Sequence, residues 1–134
     1  LRKTLRQAGP LLLRCGFDAE IVETHHNRKA DAPSGTAKAL LKAIDPEDAY
    51  AHVYGREGLP GARGKEIGVH AVRGGTVAGE HRALFFGEDE TLEFRHSAAS
   101  RRIFAAGAVL ALDFAVGHAP GLYSVDDVLG LNEI

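Results

Sequence analysis

The spacing of apolar and polar residues divides the chain into helical and extended segments. Small and apolar residues recur along one helix face at Leu1, Leu5, Ala8, Leu12 and Cys15. This period predicts a helix over residues 2–16, which Gly9-Pro10 is expected to break because proline lacks an amide hydrogen and clashes with the preceding turn. Residues 19–24, AEIVET, alternate as in a strand and lead directly into His25.

The next part of the chain predicts a second helix, a short strand and a loop. Ser34 is expected to cap the helix, because its hydroxyl can accept hydrogen bonds from the free amides of the first turn. The apolar positions behind it are Ala37, Leu40, Leu41 and Ile44. The helix should end before Pro46. Residues 51–55, AHVYG, favour a short strand, and residues 55–65, GREGLPGARGK, have the composition of a loop.

Three further extended runs predict most of a sheet. EIGVHAV, residues 66–72, and TVAGEHRALFF, residues 76–86, are expected to form a hairpin through Gly74-Gly75, a pair that tolerates a positive φ. TLEFRHSA, residues 91–98, follows a turn. The predicted class is α+β, with a mostly antiparallel or mixed sheet of about four strands and helices on one face.

Helical patterns return after the last strand. Ser100 is a candidate cap for a long helix that ends before Pro120-Gly121. One face of this helix would carry Ile103, Gly107, Leu110, Phe114 and Gly117. Residues 124–134, SVDDVLGLNEI, predict one more short helix behind Ser124.

The sheet also has apolar residues on the face that the helices would not cover. Both odd and even strand positions, which face opposite sides of the sheet, are apolar at Ala71 and Val72 and at Leu84, Phe85 and Phe86. Another copy of the chain is the simplest cover for such a face, so we expect an oligomer interface there. The alternative is that Phe85 or Phe86 is merely buried at an edge.

Composition narrows the class of protein. With 134 residues, 45% apolar and 25% charged, the chain has the balance of one soluble domain. Its single cysteine permits no internal disulfide, and no apolar run approaches the roughly 20 residues that span a bilayer. A net charge of −2 argues against a general nucleic-acid binder. The leucine at position 1, already in helical period, suggests a piece of a longer protein.

The densest chemistry lies in residues 25–37, HHNRKADAPSGTA. A zinc site would need further ligands at suitable spacing, and the other histidines are scattered. A serine hydrolase is disfavoured because Ser34 has a capping role and does not lie in a nucleophile elbow. The Walker spacing of a phosphate loop is absent.

An anion site fits this stretch better. The amides of Gly35 and Thr36 begin a helix, where free N–H groups and the positive dipole end favour a carboxylate or phosphate. Lys29 and Arg28 add positive charge, and histidine is suited to exchanging a proton near neutral pH. A solvated loop in which Ser34 caps a helix is the alternative.

Residues 20–37, EIVETHHNRKADAPSGTA, closely resemble the signature of the 4-hydroxy-tetrahydrodipicolinate (dihydrodipicolinate) reductases. That pattern has an acidic strand end, two histidines, a lysine four positions after the first, and DAPSGTA. Similar segments continue along the chain: YGREG at 54–58, VRGGTVAGEH at 72–81, SRRIFAAGAV at 100–109 and LYSVDDVLGLNEI at 122–134. All of these segments look like the carboxy-terminal half of that family's chains.

The resemblance implies a role for each matched residue. His25 would be the proton donor or acceptor and Lys29 a second catalytic proton donor, while His26, Gly35 and Thr36 would bind the dicarboxylate substrate. No metal is implied. Hydride would come from NADPH or NADH, held by an amino-terminal Rossmann domain whose glycine-rich turn is not found in these residues.

The resemblance also implies where and how such a protein works. It would reduce 4-hydroxy-tetrahydrodipicolinate in lysine and diaminopimelate biosynthesis, as a cytoplasmic homotetramer. Residues 1–134 would be its substrate-binding and oligomerisation domain, and alone they are expected not to transfer hydride. A stand-alone dicarboxylate-binding or oligomerisation module without catalysis is the alternative.

Overall fold

A computed structural model describes residues 1–133 and shows an α+β fold, as predicted. Its elements in chain order are α1 (Arg2–Arg14), β1 (Asp18–His25), α2 (Gly35–Ile44), β2 (Ala51–Val53), β3 (Glu66–Arg73), β4 (Gly79–Gly87), β5 (Glu90–Ala98), α3 (Arg102–Val116), α4 (Val125–Val128) and a 3₁₀ turn (Leu131–Glu133). The chain forms two compact units, one over Leu1–Ala99 and one that begins at Ser100. The first unit contains the whole sheet.

The sheet has five strands in the order β2-β3-β1-β4-β5. Two neighbouring pairs, β1 with β3 and β2 with β3, are parallel. The other two, β1 with β4 and β4 with β5, are antiparallel. The sheet is therefore mixed, and it has five strands where about four were expected.

The predicted hairpin between β3 and β4 is wrong. These strands are consecutive in sequence but lie on opposite sides of β1, which is the central strand. The Gly74-Gly75 pair bonds to the end of β1 instead: the amide of Gly74 donates to the carbonyl of His25 at 2.9 Å, and the amide of Asn27 donates to the carbonyl of Gly75 at 3.2 Å. Gly75 does adopt the expected positive φ, 49°. The glycine pair thus continues the hydrogen bonding at the carboxyl end of β1.

One face of the sheet packs against α1 and α2 to form the core. The alternate residues of β1 that face the helices are buried, as the period-2 pattern predicts. The buried apolar residues of this core include Leu5, Leu13, Ala19, Ile21, Ala37, Leu40, Ile44, Ile67, Val69, Ala83 and Phe85. This layer fixes β1 beneath α2, so the carboxyl end of β1 meets the amino end of α2.

Helix α1 runs through Pro10 without a break, contrary to the prediction. Proline removes the hydrogen bond to the carbonyl four residues earlier, which belongs to the exposed residue Arg6. Water can solvate that carbonyl, so the loss is small. Leu5 and Leu13, on either side of the proline, are both buried in the core and hold the two halves in one line.

Close contact between α1 and α2 depends on Gly9. A Cβ at this position would lie 2.9 Å from the Cα of Ile44, a backbone atom that cannot move aside. We expect Gly9→Ala to lower the free energy of unfolding by about 1–3 kcal/mol through overpacking, as measured by urea denaturation. Gly107→Ala is the matched control, since a Cβ there meets no atom within 4 Å. Equal stability of Gly9→Ala and the parent chain would contradict this packing.

The opposite face of the sheet is largely covered with ion pairs. Arg82 pairs with Glu93 on β5 and Arg95 pairs with Glu80, each at 2.7 Å. Val72 and Phe86 remain substantially exposed on the same face. The interface with another copy of the chain stays a prediction.

A carboxylate cluster on that face anchors the loop before β3. Glu20 accepts from both terminal nitrogens of Arg56 and from His70, and Arg63 also contacts it. Burial would raise the pKa of Glu20, but these hydrogen bonds outweigh it and lower the pKa to about 2. Gly68 leaves room for this side chain, since a Cβ there would overlap the Glu20 carboxylate.

The second unit contains α3 and α4. Ser124 caps α4 in a capping box with Asp127, as predicted. Ser100 is not the cap of α3: Arg101 holds that position, and the Ser100 hydroxyl accepts from the amide of Arg102 at 3.3 Å. None of the helices in residues 1–133 is long and apolar enough to cross a membrane.

Candidate functional site

The polar loop predicted from sequence joins the carboxyl end of β1 to the amino end of α2. The last strand residues, Glu23 and His25, project from the same face because side chains alternate. Ser34 is the N-cap of α2, and its hydroxyl accepts from the amide of Ala37 at 3.1 Å, as predicted. Strand end and helix start therefore meet at one place.

Glu23 lies at the centre of this site and is fully buried. Its Oε1 accepts from the amide of Ser34 at 2.9 Å and from Arg73 at 2.8 Å. Its Oε2 accepts from the other terminal nitrogen of Arg73 at 2.8 Å and lies 2.5 Å from Nδ1 of His25. Four hydrogen bonds thus use the acceptor capacity of the carboxylate.

These contacts keep Glu23 ionised although it is buried. Burial alone would raise the pKa of this carboxyl, because it penalises the charged form. The hydrogen bonds from Arg73, His25 and the Ser34 amide outweigh burial and lower the pKa of Glu23. The site therefore contains a fixed negative charge that is neutralised by one guanidinium.

The imidazole of His25 is held on three sides. Its Nδ1 contacts Glu23, and its ring meets the ring of His81 edge to face at 5.1 Å between centroids. A Cβ at Gly79 on β4 would lie 3.2 Å from Nε2 of His25, so glycine is needed beside that atom. Nε2 is left as the ring nitrogen available for chemistry.

His81 ties β4 to the cap of α2. Its Nε2 lies 3.1 Å from the hydroxyl of Ser34, and the residue is buried. Burial and the neighbouring His25 lower the pKa of His81 to about 4. His81 is therefore neutral near pH 7 and acts as an uncharged hydrogen-bonding partner of Ser34.

This buried histidine should make the fold sensitive to mild acid. The unfolded chain takes up a proton near pH 6.5, whereas folded His81 does so only near pH 4. The unfolded state therefore binds more protons between these values, and stability falls as pH falls through that window. We expect His81→Gln to flatten the pH dependence of the free energy of unfolding, measured by urea denaturation from pH 7 to 5. An unchanged slope would contradict the assignment.

Arg73 also connects the site to the loop that carries Lys29. Besides holding Glu23, its guanidinium donates to the backbone carbonyl of Asp31 at 2.7 Å. The Asp31 carboxylate in turn accepts from Nζ of Lys29 at 2.8 Å. Lys29 lowers the pKa of Asp31, which stays ionised. The two residues with predicted proton-transfer roles, His25 and Lys29, are thus linked through Arg73.

The predicted substrate-binding residues lie at the open side of the loop. Gly35 and Thr36 form the exposed start of α2, and a Cβ at Gly35 would meet no atom within 4 Å. Their position at a helix start next to Ser34 suits an anion. His26 is half-buried and directly follows β1. The structure therefore brings the five predicted residues to one loop and one helix start.

A separate group of ligand-type atoms lies at the other end of α2. Atoms of Asp45, Asp48 and His52 fall within 4.8 Å of one another. The Asp45 carboxylate already accepts from the amides of Ala49 and Tyr50, which gives it a structural role after the helix. This group contains none of the residues of the loop site.

Three residues of the site were not assigned roles from sequence. Glu23 lies on the same face of its strand as buried Ile21, and His81 lies on the same face as buried Ala83. The alternation of side chains therefore marks both as buried polar groups that need partners. Arg73 carries no such signal. It reaches Glu23 only because β3 lies parallel beside β1, with Arg73 opposite His25.

Comparisons with known proteins agree with this geometry. Residues 1–129 match the family described as dihydrodipicolinate reductase, C-terminus. The chain belongs to this family. The resemblance predicted from residues 20–37 is thereby confirmed.

Relatives of the dihydrodipicolinate reductase family are similar over most of the chain. A 4-hydroxy-tetrahydrodipicolinate reductase of Brachyspira hyodysenteriae is 54% identical over 115 residues, which cover 84% of this chain and 50% of the relative. One of Methanosarcina mazei is 52% identical over 130 residues, covering 96% of this chain and 48% of the relative. The chain thus spans about half the length of the curated relatives it matches.

A solved structure of the same family has a similar fold. It is a dipicolinate-bound dihydrodipicolinate reductase from Paenisporosarcina sp. TG-14, 28% identical, with a TM-score of 0.65. The match covers 94% of this chain and 50% of that one.

Proposed function

We propose that this chain is the substrate-binding and proton-donating half of a 4-hydroxy-tetrahydrodipicolinate reductase. The observation that carries the proposal is the meeting of His25, supported by buried Glu23, with the exposed start of α2 at Gly35 and Thr36. One group can exchange a proton and the other can bind a carboxylate. Both functions are needed for reducing a cyclic dicarboxylate.

The start of α2 would bind one substrate carboxylate. The amides of Gly35 and Thr36 and the Thr36 hydroxyl are donors at the positive end of the helix dipole. Lys29 would add charge from the neighbouring loop, and His26 would contact the same dianion. Dipicolinate, the ligand named for the similar structure, is likewise a dicarboxylate.

The surroundings of the His25 imidazole support its proposed role in proton transfer. Reduced nicotinamide, NADPH or NADH bound mainly by an amino-terminal Rossmann domain, supplies a hydride to an unsaturated ring carbon when present. The adjoining ring position then needs a proton, which His25 would deliver from Nε2. Lys29 would be the second proton donor. Asp31, its ion-pair partner, keeps the ammonium group oriented in the loop.

Dicarboxylate binding tests the substrate half of this proposal. Titration of dipicolinate into the chain by calorimetry should show binding, and Thr36→Ala and His26→Ala should each weaken it about 5-fold or more, because a donor to an anion is lost. Thr4→Ala is the matched control, since Thr4 lies exposed in the first turn of α1. Unchanged binding in both site variants would contradict the assignment.

Hydride transfer tests the catalytic half. A hybrid reductase can be made by joining these 134 residues to the amino-terminal remainder of the Methanosarcina mazei relative, which matches the chain over 48% of its length. The proposal expects the hybrid to oxidise NADPH or NADH with substrate. It also expects the 134 residues alone to show no turnover.

The family resemblance extends the proposal to pathway and assembly. The reaction would belong to lysine and diaminopimelate biosynthesis in the cytoplasm, carried out by a homotetramer. Val72 and Phe86, exposed on the outer face of the sheet, would lie between copies of the chain. Light scattering on the purified protein tests this, and a monomer at all concentrations would contradict it.

A further inference from the structure

We propose that Glu23 is the positioning residue of His25, fixing the imidazole as the Nδ1–H tautomer so that Nε2 exchanges the proton. This inference rests on the proposed role of His25 and adds which atom acts and what orients it. A positioning role requires that Glu23 can only accept and that it cannot move. The contacts of Glu23 with His25, Arg73 and the Ser34 amide meet both requirements.

The carboxylate of Glu23 can act only as an acceptor toward His25. An ionised carboxylate has no proton to donate, and Arg73 and the Ser34 amide keep this one ionised. The contact of 2.5 Å between Oε2 and Nδ1 therefore requires the hydrogen on Nδ1. In the neutral ring, Nε2 is then left with its lone pair.

Glu23 is also held rigidly enough to define a direction. Both terminal nitrogens of Arg73 bind its two oxygens, a bidentate geometry that fixes the plane of the carboxylate. The Ser34 amide adds a backbone donor at 2.9 Å. A flip of the His25 ring would place carbon against Oε2 and lose this bond, so the ring has one favoured orientation.

Close neighbours on β4 also restrict the position of the His25 ring. On the β4 side Nε2 faces Gly79, where even a Cβ would come within 3.2 Å. The ring of His81, edge to face with that of His25, limits movement on the same side. The charged and titratable groups beside His25 are Glu23 on its own strand, Arg73 opposite it on β3 and His81 on β4.

The proton balance is simple. The imidazolium of His25 gives its Nε2 proton to the substrate ring position that has become electron-rich after hydride addition, and the neutral Nδ1–H ring remains. Solvent then returns a proton to Nε2. Glu23 stays ionised throughout and takes up no proton, so its part is to orient the ring and stabilise the imidazolium.

Nitrogen NMR of the imidazole rings tests the tautomer directly. In the ¹⁵N-labelled chain at about pH 8.5, where an ordinary imidazole is neutral, His25 should show Nδ1 protonated and Nε2 bare. His25→Gln identifies its resonances by their loss. In Glu23→Gln the bare nitrogen should move from Nε2 to Nδ1, or the two tautomers should average, because an amide NH₂ can donate to Nδ1. A wild-type ring with Nε2 protonated would overturn the inference even if the variant fails to fold.

Glu20→Gln is the matched control. Glu20 is another arginine-paired carboxylate of β1, but it lies on the opposite face of the strand, with Arg56 and His70. Its substitution should leave the His25 tautomer unchanged. A shift of equal size in both variants would mean that general loosening of the fold, and not positioning, moves the proton.

Kinetics separate this inference from the proposed function. In the hybrid reductase, Glu23→Gln should lower kcat about 10–100-fold with a smaller change in KM. A fixed tautomer without this loss would show that His25 is positioned but is not the proton donor, which overturns the proposed role. Averaged tautomers in the wild-type chain, together with a large loss of kcat in His25→Gln, would overturn the positioning role of Glu23. The proposed function of His25 would then remain.

Discussion

Replacing His25 with glutamine is expected to lower kcat of the hybrid reductase by about 10²–10⁴-fold. Glutamine can still donate a hydrogen bond but cannot exchange a proton near neutral pH. Because the proposed role of His25 is proton transfer and not substrate anchoring, KM should change much less. Steady-state assays that follow oxidation of the reduced nicotinamide measure both kcat and KM.

The control for this prediction is His52→Gln. His52 lies on the edge strand β2 and is half-buried, so it is a histidine of similar exposure outside the loop site. It should retain the kcat of the parent enzyme. A His25→Gln enzyme with normal kcat would contradict the proton-donor role, whatever its effect on substrate affinity.

Replacing Arg73 with alanine is expected to destabilise the fold by about 3–5 kcal/mol. The substitution leaves the Glu23 carboxylate fully buried with only the His25 ring and one amide as partners. An uncompensated charge in the core is costly, and Glu23 can escape it only by taking up a proton. Urea denaturation at pH 7 measures the loss.

Two comparisons sharpen the Arg73 prediction. Arg82→Ala removes an ion pair with Glu93 that is substantially exposed, and it should destabilise the fold far less than Arg73→Ala does. Combining Arg73→Met with Glu23→Leu should be less damaging than Arg73→Ala alone, because the buried charge is removed as well. Equal losses for Arg73→Ala and Arg82→Ala would contradict the central place of Glu23 in this site.

Local features of the fold were predictable because they depend on neighbouring residues. The cap at Ser34, the strand that leads into His25 and the helix before Pro46 all follow from hydrogen-bonding capacity and period. The capping box at Ser124 was found in the same way. The resemblance over residues 20–37 then brought the loop residues together as one candidate site.

Features that depend on distant pairing were not predictable from one sequence. Strand β1 lies between β3 and β4, so the expected hairpin does not form. Consecutive strands joined by a permissive glycine turn need not be neighbours in the sheet. Arg73 becomes part of the site only through this parallel pairing, 50 residues away from Glu23. The predicted helix break at Pro10 was wrong for another reason. Burial of Leu5 and Leu13 in the core outweighed the local cost of proline in the helix.

Hydride transfer in the hybrid reductase is the decisive measurement for the proposed reductase function. We predict that these 134 residues, joined to the amino-terminal remainder of the Methanosarcina mazei relative, oxidise NADPH or NADH only when substrate is added. The same residues alone, and the hybrid carrying His25→Gln, should show little or no turnover. A folded hybrid that binds nucleotide and dipicolinate but does not oxidise the cofactor would contradict the proposed function, as would turnover by the 134 residues alone.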